Sequence, residues 1–310
     1  MSNYAVLYNP YAGNGQGQER AQDLKTILSG DDLEFYNMTL IRDYAAFFGS
    51  LPYGTRVIIS GGDGTLNRFI NDTINLSLSH DIYYYASGSG NDFLRDVGRK
   101  KEDDPFLINH YLHELPEVTV AGHTYKFLNG VGYGIDGYCC EVGDSLRSKS
   151  KKPVNYAAIA IKGLLFHYKP TNAVVTVDGR RHTYEKVWLA PTMNGRFYGG
   201  GMMPTPNQNR LDPRHTVSTL VLFGSGKLKT LAVFPSIFKG EHIKHTQMAE
   251  VLTVHDITVE FDRPTAIQID GETILGVSGY HVSSAIRLRI SSASCANQDQ
   301  AVCFANSLEI

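Results

Sequence analysis

The stretch Val57-Ile58-Ile59-Ser60-Gly61-Gly62-Asp63-Gly64-Thr65-Leu66-Asn67 decides how the rest of this chain is read. A β-branched run ends abruptly in a glycine turn, and a helical apolar pattern follows from Leu66 to Ile74. A strand that passes through such a turn into a helix is the repeating unit of an α/β domain. The same grammar occurs on either side. Val6-Leu7-Tyr8 leads into Asn9-Pro10-Tyr11-Ala12-Gly13-Asn14-Gly15-Gln16-Gly17 and a helical pattern from Glu19 to Leu28. Tyr83-Tyr84-Tyr85 leads into Ser87-Gly88-Ser89-Gly90-Asn91-Asp92 and Phe93-Leu94.

In a parallel sheet the loops after the strands gather at one edge. Helix N-termini there present N–H groups to anions, and glycine lets the backbone approach a ligand closely. Three glycine turns in register make a polyphosphate site, although each alone reads equally well as a tight turn. Asp63, between glycines, stands where a carboxylate reaches a magnesium ion bridging nucleotide oxygens. Its structural alternative is a cap on a helix beginning at Thr65. No Gly-x4-Gly-Lys-[Ser/Thr] run occurs, so the phosphates are not held by a P-loop.

From about residue 118 the texture changes to short alternating strands with hairpin signals, which predicts an antiparallel β domain. Asp178-Gly179 between two such runs is a clear turn, and Val217 to Phe223, Ile257 to Phe261, Ala266 to Ile269 and Ile286 to Ile290 read as further strands. Helical patterns run over Asn155 to Tyr168 and Leu228 to Phe238. The fold class expected is therefore α/β plus β: a Rossmann-like α/β nucleotide domain over 1–117 and a β-sandwich over 118–290. The tail 291–310 is expected to pack back on the first domain.

At 310 residues with 42% hydrophobic content, the chain can bury two cores. A net charge of −2 provides no global field to attract nucleic acid. No signal-peptide pattern is seen at Met1, and the longest apolar run, Tyr156 to Tyr168, falls short of the ~20 residues of a spanning helix. Cys139, Cys140, Cys295 and Cys303 lack zinc-site spacing and read as reduced cytosolic thiols.

Five segments, in this order, resemble diacylglycerol kinase catalytic domains: Asn9-Pro10 with its glycines, Gly61 to Asn67, Ser87 to Phe93, Asn129 to Asp136, and Asp270-Gly271-Glu272. That family includes sphingosine and ceramide kinases and soluble bacterial lipid kinases, and the resemblance covers about residues 4 to 290. The Gly-Gly-Asp-Gly-Thr element is shared with NAD kinases, whereas the late Asp-Gly-Glu points to the lipid enzymes. The resemblance implies a kinase using ATP and Mg²⁺ in a cleft between the two domains, most simply converting diacylglycerol to phosphatidic acid. The rivals are a sphingoid or other lipid alcohol, an NAD-kinase-like activity, and a binding module without catalysis.

By the same resemblance, Asn9, Gly62, Asp63, Gly64, Thr65, Ser87, Gly88 and Asn91 line the nucleotide, with Asn67 supporting the aspartate loop. Glu272 is the general base for the lipid hydroxyl, a role that suits a positioned carboxylate. Asp136 matches a position that faces the lipid head group in sphingosine kinases, and otherwise reads as a turn aspartate. Asp212 matches part of a second, structural magnesium site, but Pro213 and Arg214 stand where an acid and a glycine are expected. The partner implied is a lipid at the membrane surface, with a homodimer possible. Arg147 to Lys152 ahead of the 155–168 helix reads either as an interfacial element or as a solvated loop before a core helix.

Overall fold

A computed structural model describes residues 1–88, 90–149, 154 and 156–284 of the chain. The strand predicted at Ile286 to Ile290, the docking of the tail, and Cys295 and Cys303 lie outside the described residues. The first sheet contains β1 (Asn3–Tyr8), β2 (Asp32–Asn37), β3 (Arg56–Gly61), β4 (Ile82–Ala86) and β5 (Phe106–Leu107), in the order β2-β1-β3-β4-β5. The first four strands are parallel, and β5 closes the edge antiparallel to β4.

Val57, Ile58 and Ile59 are all fully buried, because this sheet is covered on both faces. On one side Val57, Ile59 and Tyr84 pack with Leu66, Phe69 and Ile70 of α1 (Asp63–Asp72). On the other, Val6 and Ile58 meet Ala21 and Leu24. The helix after β3 starts three residues earlier than the pattern predicted, with Gly62 as its N-cap. The helical pattern from Glu19 resolves into two short helices, Gly17–Ala21 and Leu24–Ile27. A short helix, α2 (Asp92–Asp96), follows β4.

The second region is wholly antiparallel. It contains β6 (Glu117–Val120), β7 (His123–Lys126), β8 (Gly130–Tyr133), β9 (Thr171–Val177), β10 (Arg180–Val187), β11 (Thr192–Met193), β12 (Val217–Leu222), β13 (Ala249–Val254), β14 (Asp256–Ile269) and β15 (Glu272–Ser283). Asp178-Gly179 forms the predicted β9–β10 turn, with both residues at positive φ. The two strands expected at 257–261 and 266–269 are one strand, β14, whose register with β15 shifts between Glu260 and Ile267. Its first half bonds to β9 and its last residues to β8. An irregular strand that changes partners along its length bends the sheet over its own core. Tyr133, Val175, Val259, Ile267 and Tyr280 fill that core in a β-sandwich-like arrangement.

The helix α3 (Ile135–Lys149) was not predicted, and it is the longest among the described residues. Gly134, Gly137 and Gly143 disguise it in the sequence. Here they admit close packing, since a Cβ on Gly137 would meet the Ala266 carbonyl and one on Gly143 the Tyr156 ring. The predicted 155–168 helix is α4 (Tyr156–Lys162) continued by a π turn over Gly163–His167. The predicted 228–238 helix is α5 (Lys227–Val233) followed by a 3₁₀ segment in which Pro235 sits at the start. Among the described residues, no helix is long and apolar enough to cross a membrane.

The two regions are joined through α1. Asn71 exchanges hydrogen bonds with the Lys126 backbone, donating at 3.0 Å and accepting at 2.9 Å. The Asn67 amide donates to Asp270 at 3.0 Å. Asp270 also accepts from the backbone N–H of Leu128, Asn129 and Gly130 at 2.5, 2.8 and 2.9 Å. Removing that carboxylate strands three N–H groups, each worth about 1–3 kcal/mol when left unpaired. Asp270→Ala is therefore expected to lose about 3 kcal/mol or more in urea unfolding, and Asp270→Asn less, because an amide oxygen still accepts. A loss under about 1 kcal/mol for Asp270→Ala would remove this contact from the account of how the regions are held.

Candidate nucleotide-binding site

The loops after β1, β3 and β4 meet at one edge and are bonded to one another. Gly88 N–H donates to the Gly61 carbonyl at 2.8 Å, and Asp63 N–H to the Gly90 carbonyl at 3.1 Å. A Cβ on Gly88 would lie 2.5 Å from the Gly62 backbone, so these turns pack main chain on main chain and only glycine fits. The hydroxyls of Ser60 and Ser87 are 2.9 Å apart. The Asn9 amide donates to the Thr65 hydroxyl at 3.3 Å. Arg20 reaches across to the Ser87 carbonyl at 2.9 Å. Asn9, Gly62, Asp63, Gly64, Thr65, Ser87 and Gly88 thus come together. Asn91 joins them as N-cap of α2, its amide 3.5 Å from the Gly88 carbonyl and its Oδ1 buried without a partner among the described residues.

Asp63 is buried, and it does not cap its own helix. Its carboxylate accepts from the N–H of Asp92 at 2.7 Å and of Phe93 at 3.2 Å, capping α2 from the neighbouring loop. Burial, and then the nearby Asp92 carboxylate, push its pKa up to about 7 against the two N–H donors that favour the anion. Asp92 is itself raised, chiefly by burial, and accepts from Gly200 N–H at 2.8 Å. Asp270 raises both. For Asp63 and Asp92, neighbouring carboxylate charge thus adds to burial in opposing ionisation.

Glu272 approaches from the second region. It opens β15 immediately after the Asp270-Gly271 turn, is exposed, and places Oε1 3.9 Å from where a Cβ on Gly64 would sit. The residue from the end of the chain thus faces the first turn of the helix that begins with Asp63. The turn is held from beneath by Gln268, whose Oε1 accepts from Gly271 N–H at 2.7 Å, and from the side by Thr273, which donates to Asp144 of α3 at 2.7 Å.

Three residues remain. Asn67 bonds to Asp270 and so joins the two regions. Asp136 occupies the first turn of α3, not an open turn. Its carboxylate lies over Gly132 with Tyr198 and Gln268 alongside, and burial pushes its pKa up to about 6. Asp212 is engaged by an arginine. Arg214 grips both its oxygens, with Nη2 at 2.8 Å and Nε at 3.1 Å, and holds its pKa down at about 2. Arg214 thus supplies the positive charge beside Asp212 in this structure.

Asp92, Arg20 and the Asp96–Arg210 pair had no assigned role in the sequence. Asp96, buried in α2, accepts from Arg210 Nε at 2.5 Å and from Arg196 Nε at 2.8 Å. Arg210 also donates to the Leu128 carbonyl and the Asn129 side chain. These partners lie 81 to 114 positions apart, so no spacing rule reveals them. Asp92 did leave a signal, since it closes the third glycine turn.

Family models match nearly the whole described chain: "Diacylglycerol kinase catalytic domain" over residues 3–121 and "YegS C-terminal NAD kinase beta sandwich-like domain" over 129–287. The chain belongs to the diacylglycerol kinase-like family of lipid kinases. Within the family it is similar to the diacylglycerol kinase of Bacillus subtilis (strain 168), at 24% identity over 88% of this chain and 90% of that one. The diacylglycerol kinase of Mycobacterium tuberculosis (strain H37Rv) is 23% identical over 84% of each. A crystal structure of a diacylglycerol kinase from Bacillus anthracis str. Sterne shares the fold, with a TM-score of 0.57, 17% identity and coverage of 92% and 94%.

An acid whose pKa is higher folded than unfolded binds more protons in the native state, so stability falls as pH rises between the two values. For Asp63 that interval runs from the ordinary carboxylate range to about 7. The ligand-free protein is expected to lose stability across it in urea titrations, and Asp63→Asn to flatten the loss. An identical slope in both proteins would contradict the burial of a titrating Asp63.

Proposed function

We propose that this protein transfers the γ-phosphoryl group of ATP to the hydroxyl of a membrane lipid, with diacylglycerol as substrate and phosphatidic acid as product. The observation that carries the reading is Glu272 facing Gly64, in the first turn of the helix that Asp63 opens. A phosphoryl transfer needs the nucleotide positioned, its charge met, and an acceptor for the attacking hydroxyl's proton. The interlocked glycine turns offer backbone N–H groups to the phosphates, and Asn9, Thr65 and Ser87 offer polar side chains beside them. Glu272, exposed and ionisable, takes the proton as the lipid oxygen bonds to the γ-phosphorus and ADP leaves.

Magnesium fits the acidic edge, because a divalent cation relieves the carboxylate charge that acts on Asp63 and Asp92. Among the described residues, no three acidic, histidine or cysteine side chains form a cation shell of their own. Asp63 would hold the ion, which would neutralise charge on the transferring group. The reading places the enzyme in the cytoplasm, at a membrane surface during turnover. The named relatives support diacylglycerol as the first lipid to try.

Glu272→Gln is expected to lower lipid phosphorylation ~10²–10⁴-fold while Mg-ATP binding, followed by calorimetry, stays near that of the wild type. Turnover within a few-fold of wild type would show that another group accepts the proton. Labelled ATP offered with diacylglycerol, a sphingoid base or NAD identifies the acceptor. Phosphorylation of NAD alone would overturn the lipid assignment.

A further inference from the structure

We propose that Arg20 supplies the fixed positive charge of the nucleotide site and makes that site selective for the longer polyphosphates. The proposal rests on the reading of the three glycine turns as a phosphate site. Those turns, Asn9 to Gly17, Ser60 to Asn67 and Ser87 to Asp92, contain no lysine or arginine, and they do contain Asp63 and Asp92. The acids leave the turns with no positive charge of their own. A polyphosphate carries several negative charges, of which a single magnesium ion meets only part, and charge-assisted donors hold such groups better than neutral ones. A P-loop meets that need with its lysine, and no such lysine stands here. The positive charge comes instead from the helix Gly17–Ala21, which follows the first turn and carries Arg20.

Arg20 turns back from that helix into the gap between the first and third turns. Its Nη1 donates to the Ser87 carbonyl at 2.9 Å, and its Nη2 to the Gln16 side chain at 2.8 Å. The guanidinium lies against Gly13, where a Cβ would stand 2.8 Å from Nη1 and 3.2 Å from Cζ. Gly13 also has a φ of +58°, so both the backbone and the space at this position call for glycine, and the arginine fills the room it leaves. The two bonds go to neutral oxygens and use two of the five N–H donors of the guanidinium. Among the described residues no carboxylate forms an ion pair with Arg20, whereas Asp96 and Asp212 engage Arg210 and Arg214. Its charge is therefore left for a ligand. It is half-buried there, beside the turn whose Gly88 bonds to Gly61, and a charge so placed is screened less than one in open water. The attraction grows with the charge of the ligand, so ATP gains most, ADP less and AMP least.

Calorimetry of the full chain with Mg-ATP, Mg-ADP and AMP tests the assignment without requiring lipid turnover. Arg20→Met is expected to weaken Mg-ATP about 10- to 100-fold and Mg-ADP by less, with AMP within a few-fold of wild type. Arg20→Lys keeps the charge while giving up the two-pronged hold, and should bind Mg-ATP within a few-fold of wild type. Raising the salt should narrow the gap between wild type and Arg20→Met. Circular dichroism checks the fold of each variant, and Arg20→Gln serves as a second neutral variant, so that a folding defect in one leaves the comparison intact. Mg-ATP affinity of the folded neutral variants within twofold of wild type would overturn the proposal. So would equal losses for all three ligands, which mark a purely structural tie, or an Arg20→Lys as weak as Arg20→Met. Wild-type protein that binds none of the three would remove the nucleotide reading itself. Graded binding without phosphorylation of any lipid would leave the role of Arg20 standing and remove the kinase reading instead.

Discussion

One carboxylate holds the molecule in its working shape. Asp270 accepts three consecutive backbone N–H groups from residues 128–130 and one amide from Asn67 of α1. Residues 128–130 lead into β8, while Asp270 itself starts the turn into β15. A single acid therefore ties a strand of the second region, the loop carrying Glu272 and the helix opened by Asp63 to one point. That tie acts beside the Asn71–Lys126, Asp92–Gly200 and Asp96–Arg210 contacts in keeping the candidate base against the glycine turns. Four donors compensate an anion that burial alone would neutralise, and burial still raises its pKa.

The acidic edge follows from that arrangement. Asp63 and Asp92 each organise a neighbouring loop, Asp63 through α2 and Asp92 through Gly200. Bringing the loops together brings the acids together, and the result is a cleft lined with carboxylates that repel one another. Such a site resists ionisation when empty and favours a ligand that brings a cation with it. Asp212 differs, since Arg214 beside it already supplies positive charge.

Most of the local architecture was legible because it rests on short-range chemistry. Val57 to Ile59 form a parallel strand, since β-branched residues suit a sheet covered on both faces. Gly61, Gly62 and Gly88 form tight turns, and Asp178-Gly179 reverses a hairpin. Long-range packing overrode the local pattern elsewhere. The glycines of α3 look like a loop in sequence, and they serve a helix pressed against Ala266 and Tyr156. The two predicted strands at 257–269 are one, because bending of the sheet, rather than a turn residue, interrupts their pattern.

The sequence by itself determined the strands, the glycine turns and the change from α/β to antiparallel β. These are set by side-chain periodicity and by residue types that only certain backbone conformations tolerate. Only the tertiary structure decided what the acids touch. The partners of Asp63 are 29 and 30 positions away, and that of Asn67 is 203 positions away. Hydrogen bonds over such separations depend on how two cores pack, which no local pattern encodes. The outward side chains Phe166 and Leu228 belong to the same class: apolar periodicity marks them for burial, and only the folded chain leaves them uncovered.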